Sequence, residues 1–307
     1  MSNAIEKAKI FQQELDKQVV AGATSGWMEA NAGLVKYNGG NEVKIPQISM
    51  DGLGDYDRDT GFVNGAVSLA FVTKTLTKDR GRTFLLDRMD VDESNFIATA
   101  SNVIGEFQRT KVIPEIDAYR YSSIATQAIA KSKAKGSYTA AAASILTKIK
   151  EDINDIYDVA GEVELVIMLS MAISGLLDMS TEISKQLNII EFSQGELKTK
   201  VKGIDINPIV KIPSARMKTA FTFNDGKTAG EEAGGFVPAA GAKDINWIIA
   251  PRKAPIAVSK TDTLRIFDPA TNQTADAWKI DYRKFHDLWI KDNQFDSIRV
   301  NIKQALA

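Results

Sequence analysis

Residues 77–93 read TKDRGRTFLLDRMDVDE, and within them the hydrophobic period of the chain changes. On the N-terminal side the period is two. Lys78-Asp79-Arg80-Gly81 predicts a turn, because glycine closing a charged run is common punctuation between extended segments, and residues 83–86 predict a strand. On the C-terminal side the period is helical. Asp90 followed by Glu93 makes a capping-box-like start, and Phe96, Ala100, Val103 and Phe107 advance by four, three and four along one face. Charges of both signs crowd this junction: Arg80, Arg82 and Arg88 against Asp87, Asp90, Asp92 and Glu93. Such alternation predicts an ion-pair network in preference to a general acid–base pair.

Upstream, Val43, Ile45 and Ile48 lie in an extended run in which Pro46 marks an edge strand. The glycine- and aspartate-rich stretch MDGLGDYDRDTGFVNGA follows at residues 50–66, and then Val67, Leu69 and Phe71 alternate with Ser68, Ala70 and Val72 as a second strand. Two long strands joined by such a tip bury little surface by themselves. The hairpin therefore rests either on its own domain or on a neighbouring molecule. Still earlier, residues 4–19 predict an amphipathic helix, with Ile5, Ala8, Phe11, Leu15 and Val19 at helical spacing. It either packs on its own domain or serves as a docking arm.

Downstream, Pro114 suits the first turn of a second helix whose face includes Tyr121, Ile124, Ala125 and Ala128. The link KSKAKGS at residues 131–137 ends it. A third helix points Ala142, Ile145, Ile149, Ile153 and Ile156 inward and Lys148, Glu151, Asp152 and Asp155 outward. Residues 163–169 are apolar apart from Glu164 and include the β-branched Val163, Val166 and Ile167, which predicts a strand buried on both faces, with a short helix after it. Beyond Gly203 short strands alternate with glycine and proline, and residues 224–244 predict a mobile loop. The end returns to strands at 279–284, 287–290 and 298–302, with Asp292-Asn293 as a turn. Strands, then helices, then strands is an α+β pattern.

Lys and Arg number 38 against 39 Asp and Glu, so no basic excess argues for tight nucleic-acid binding, although enclosing DNA needs none. There are no cysteines, which removes disulfides, thiolate metal sites and a Cys nucleophile. The N-terminal residues lack the apolar core of a signal peptide, and the longest apolar run, near residues 165–177, is too short to span a bilayer, so an intracellular chain with no membrane partner is expected.

Chemical motifs fail one by one. Asp55, Asp57 and Asp59 precede Gly61 as in a calcium loop, but the sixth and twelfth positions counted from Asp55 hold Thr60 and Ala66, where Gly and Glu are required. Gly226-Lys227-Thr228 resembles the end of a phosphate-binding loop, but Phe221 stands where the leading glycine belongs. His286 is the single histidine, and no Gly-x-Ser-x-Gly elbow accompanies it. No metal, cofactor or catalytic residue is expected.

The residues of the opening stretch, Thr77 through Phe84 and Asp87 through Glu93, resemble a segment of tailed-bacteriophage major capsid proteins. So does Val112-Ile113-Pro114-Glu115-Ile116-Asp117-Ala118-Tyr119-Arg120. A third block follows in the same order: Arg265 through Pro269, Asn272-Gln273, Asp276-Ala277-Trp278-Lys279 and Tyr282 through Asp287. The resemblance implies the Hong Kong-97-type α+β fold. Mapped onto this chain it gives an N-terminal arm at 1–41, an extended β-hairpin loop at 42–91, a peripheral domain at 92–138 and 254–307, and an axial domain at 139–253. It implies a non-enzymatic shell protein that self-assembles into pentamers and hexamers, in the host cytoplasm, as the icosahedral head of a phage or prophage. The partners implied are other copies of itself, a scaffolding protein, a portal protein, and double-stranded DNA enclosed without sequence-specific contacts. Only about forty residues precede the hairpin, which favours a separate scaffolding protein. The inter-subunit candidates are Lys78, Asp79, Arg80, Arg82, Asp87, Arg88, Asp90 and Glu93, whose opposite charges would fix register between copies. Two alternatives stand beside this one: the shell of an encapsulin-like cellular compartment, and a hydrolase using Asp87, Asp90 or His286.

Overall fold

The computed structural model describes residues 22–37, 41–89, 100–180, 187–194 and 197–306, together with Val19. The helix expected over 4–19 lies almost wholly outside these residues, as do the Asp90/Glu93 start and Phe96. A 3-10 segment, Gly26–Leu34, leads into β1 (Lys36–Tyr37), β2 (Glu42–Met50), β3 (Val67–Thr75) and β4 (Lys78–Asp87). Helix α1 (Ala100–Phe107) continues through a π turn, Gln108–Val112, into α2 (Ile113–Ala130). Then come β5 (Ala134–Lys135), α3 (Ile145–Ala160), β6 (Leu165–Ser170) and α4 (Met171–Asp178). Strands β7 (Leu187–Gln194), β8 (Leu197–Ile204) and β9 (Asn207–Ile212) follow, with a small pair, β10 (Phe221–Phe223) and β11 (Phe236–Pro238). The last strands are β12 (Ile245–Pro251), β13 (Pro255–Phe267), β14 (Ala277–Ile290) and β15 (Arg299–Ile302).

A seven-stranded sheet, β5-β15-β12-β6-β9-β8-β7, forms the centre of the main body. Strand β6 lies between β12 and β9 and is covered on both faces, which is why its sequence is continuously apolar. Val166 and Met168 meet Tyr121, Ile124 and Ala128 of α2, together with Trp27 and Met28. Leu165, Ile167 and Leu169 meet Ile145, Ile149, Ile153 and Ile156 of α3. Each such fully buried aliphatic side chain stabilises the fold by about 1.5–3 kcal/mol. Asp152 does not point outward as expected. It is buried, accepting from Trp247 Nε1 at 2.9 Å and Lys135 Nζ at 2.8 Å. The helical wheel carries it close to Ile149 and Ile153, and a buried indole N–H requires an acceptor.

A second sheet, β13-β14-β4, is antiparallel throughout. It corrects two expectations. Residues 78–81 are not a turn but the start of β4, paired as Lys78↔His286 through Gly81↔Arg283. Glycine stands at 81 because a Cβ there would lie 2.9 Å from the Tyr282 carbonyl oxygen. The strands expected at 279–284 and 287–290 are one, β14, whose interior polar residues Lys284, His286 and Asp287 are all buried. Helix α1 covers this sheet, with Ile104 and Phe107 against Phe84, Ile280 and Tyr282.

The break expected before Pro114 is also absent. Proline has no N–H for the carbonyl four residues back and crowds it. The helix widens instead: the Ile113 N–H donates to Gln108 O, five residues back, and one helical rod runs from 100 to 130. The glycine-rich segment expected to be a loop over 224–244 is one from 224 to 235, closed at its base by a short hairpin in which Thr222↔Val237 and Phe223↔Phe236 pair and Asn224 N donates to Gly235 O at 3.0 Å.

Candidate assembly surfaces

Strands β2 and β3 pair from Glu42↔Thr75 to Met50↔Val67, so directly opposed residues share a face. Near the root, Val43 and Ile45 are buried with Leu76 against Ile256, Val258, Phe285 and Trp289 of β13 and β14. Farther out, the opposite face carries Ile48 beside Leu69 and Met50 beside Val67, with Phe71 next in line. All five are exposed, Met50 at 70% and Val67 at 72%. The tip adds Leu53, Phe62 and Val63, also exposed. Beyond the root the ribbon has no described partner strand besides β2 and β3. An isolated two-stranded ribbon with an apolar face in water is marginal.

The root is fixed firmly. Leu76 N donates to Asn41 O at 2.9 Å, closing the hairpin. Asp287 Oδ2 accepts from Thr77 N at 2.9 Å and Thr77 Oγ1 at 2.8 Å, while Oδ1 accepts from the Tyr119 hydroxyl and from Leu288 N. Burial and the Asp287 carboxylate push the Tyr119 phenol well above its usual range. The charge run gave no sign of this clamp, since Asp287 lies 210 residues from Thr77.

Among the described residues, no ion pair joins two of the candidate charges. Side chains alternate across a strand, so Lys78, Arg80 and Arg82 face one side of β4 and Asp79 the other. Lys78 lies over the rings of Phe223, at 4.3 Å, and Tyr119, at 5.2 Å. Arg80 pairs with Glu115 at 2.7 Å and donates to Asn224 O at 2.7 Å. Arg82 donates to Glu232 O at 3.0 Å, and Asp79 accepts from Arg283 Nε at 2.8 Å. Among the described residues Asp87 accepts from the Met89 amide, at 2.8 Å, and Arg88 is exposed. Asp90 and Glu93 lie outside the described residues.

Between β4, the π turn and the segment 224–235 lies a cleft of about 520 Å³. His286 lines it, buried against Tyr119 with ring centroids 5.4 Å apart. Burial, then the charges of Arg120, Lys284, Lys78 and Arg80, hold it well below the usual imidazole range, so it is neutral at pH 7.

The rejected motifs have structural roles. Asp225 accepts from Lys227 N at 2.7 Å and Thr228 N at 2.8 Å, so its own carboxylate, held at about pKa 2 by these bonds, fills the turn that a phosphate would need. Asp57 accepts from Asp59 N at 2.7 Å and bridges to Gly61, shaping the hairpin tip. Among the described residues no group of His, Cys, Asp or Glu is placed to hold a metal, and no helix is long and apolar enough to cross a membrane.

No family model and no curated protein matches the chain in sequence. Solved structures do match in fold. The mature capsid of bacteriophage PhiM1 aligns with a TM-score of 0.55 at 12% identity, over 86% of this chain and 82% of that one. The capsid of cyanophage P-SCSP1u gives 0.55 at 10% identity, over 87% and 84%. A chain of Gordonia phage Cozz gives 0.53 at 15% identity, over 91% and 87%. The chain has the phage-capsid fold.

Proposed function

We propose that this chain is the major capsid protein of a tailed bacteriophage, self-assembling into pentamers and hexamers that close an icosahedral head around double-stranded DNA. The observation that carries this reading is the β2–β3 hairpin, anchored at its root and apolar on a face that the described residues of its own chain leave largely exposed. The phage-capsid fold over most of the chain supports it. In this reading the hairpin is the extended loop and lies across the next copy, so each subunit both gives and receives a contact around a ring. Repetition adds avidity, and each pairwise contact can be weak. Arg82, Asp87 and Arg88, exposed at the edge of β4, are then available for register between copies. A scaffolding protein and a portal protein complete the set of partners, and the work of the chain is assembly, without catalysis.

The test is electron microscopy of the purified protein, alone and co-expressed with its scaffolding partner. Rings, tubes or shells are expected; monomers under every condition would sink the reading. Deleting residues 50–65 should leave a body that melts cooperatively but no longer assembles. Loss of the body's own folding would show that the hairpin serves its own core instead.

A further inference from the structure

Asparagine is followed by glycine at two places in the chain, Asn38-Gly39 and Asn64-Gly65, and the first lies outside the described residues. Asn64 and Gly65 stand at the hairpin tip, exposed and outside both strands. Among the described residues neither the Asn64 amide nor the Gly65 N–H makes a hydrogen bond. Other asparagine side chains are held. Asn31 donates to Arg252 O and Pro255 O, both at 2.8 Å, and Asn246 donates to Asn301 Oδ1 at 2.7 Å. Directly after Gly65 the chain is fixed again, with Asp51 N donating to Ala66 O at 3.1 Å and Ala66 N to Asp51 Oδ2 at 2.7 Å.

This pair is reactive by its connectivity. A bond between the Gly65 nitrogen and Asn64 Cγ closes a five-membered ring. Glycine has no Cβ to obstruct that approach, and its backbone turns freely into it. As the N–Cγ bond forms, the Cγ–Nδ2 bond breaks; the proton of the Gly65 N–H goes with the leaving nitrogen, and ammonia departs. Water then adds to either carbonyl of the cyclic imide and one C–N bond opens, leaving aspartate or isoaspartate at position 64. Nothing is oxidised or reduced: one water is consumed and one ammonia released.

We propose that Asn64-Gly65 is a site of spontaneous deamidation that disarms the hairpin of subunits left unassembled. The tip already carries Asp51, Asp55, Asp57 and Asp59 against the single Arg58 between residues 51 and 61. The reaction adds another carboxylate two residues before Ala66, whose N–H the Asp51 carboxylate holds, and like charges repel. Isoaspartate also routes the main chain through the side-chain carbonyl, inserting one methylene just ahead of the Asp51–Ala66 pair that closes the tip. The chemistry at Asn64 stands by itself, while its consequence for assembly rests on the capsid reading, in which the hairpin is covered once it lies on the next copy. Free subunits then age, and assembled ones are protected.

The test is peptide mapping by mass spectrometry on the full chain, held free in mildly alkaline buffer, with its assembly followed by light scattering as it ages. The peptide containing Asn64 is expected to exchange its amide for a carboxyl and to split into aspartate and isoaspartate forms, while Asn31 and Asn246 stay intact. Gly65→Ala is the control: a Cβ there meets only the Asp51 Cβ, at 3.8 Å, so the variant should melt as the wild type does. It is expected to slow conversion at least about tenfold, because the added methyl obstructs the attack. It should also keep its assembly rate through ageing while that of the wild type falls. Retention of the Asn64 amide in the wild type, or equal conversion in Gly65→Ala, overturns the site. A converted wild type that assembles as fast as fresh protein overturns the consequence for assembly. A fresh wild type that never assembles overturns the capsid reading and that consequence with it, while the site still stands or falls on the mass of its peptide.

Discussion

Removing the Asp287 carboxylate should loosen the hairpin without dissolving the sheet beneath it. The carboxylate is 3% exposed and accepts from three groups outside its own strand: Thr77 N, Thr77 Oγ1 and the Tyr119 hydroxyl. Hydrogen bonds to a charged group contribute about 1.5–3 kcal/mol each. These three share one carboxylate and are not additive, so Asp287→Ala should cost about 3–5 kcal/mol, less than the roughly 4.5–9 kcal/mol that their sum would give. The assay is hydrogen exchange at the Leu76 amide, which is bonded to Asn41 O and not to Asp287 itself. If the clamp closes the root, Leu76 exchange should quicken by roughly two to three powers of ten, at 1.4 kcal/mol per decade. Ile248, in the seven-stranded sheet, should gain far less. Unchanged protection at Leu76, or equal acceleration at Leu76 and Ile248, would refute the idea of a local clamp.

Three further outcomes are expected. Asp152→Ala leaves the buried Trp247 N–H without its acceptor and should lower the unfolding free energy by about 2–4 kcal/mol in urea titration. Gly81→Val forces a side chain toward the Tyr282 carbonyl oxygen, 2.9 Å from the Cβ position, and should cost about 1–3 kcal/mol by the same measurement. The depressed titration of His286 means the unfolded chain binds a proton near pH 6.5 that the fold refuses. Its contribution is therefore present above pH 6.5 and is lost as pH falls below it. His286→Leu should flatten the stability profile between pH 6.5 and 5, and an unchanged slope there would show that the imidazole is not responsible.

What could be read from sequence depended on whether a pattern was local. Strand β6 was legible because burial on both faces leaves an unbroken apolar run, and α3 because its isoleucines recur at helical spacing. The expected break at Pro114 failed because a π turn, which no periodicity announces, absorbs the missing donor. Asp152 failed because its partner, Trp247, arrives from 95 residues away. The long strand β14 looked like two because Lys284, His286 and Asp287 interrupt its apolar pattern. Their burial depends on α2 and β4, which the local sequence does not contain.

The candidate assembly surface was legible in one respect and hidden in another. Alternation marked β2 and β3 as strands, and their composition showed that they could not stand alone, but pattern cannot say which face stays uncovered. The structure resolves that at Ile48, Met50, Val67, Leu69 and Phe71, between 44% and 72% exposed. Covering what remains exposed would contribute on the order of 5–8 kcal/mol. Bringing two molecules together costs about 4–15 kcal/mol before any contact is counted. One hairpin laid on one neighbour therefore barely holds a pair. Around a closed ring each added copy forms the same contact, and the last forms two while losing its freedom only once. On the capsid reading, the apolar face is thus sized to stabilise closed assemblies while leaving isolated pairs transient, and a misplaced subunit can leave before the ring closes.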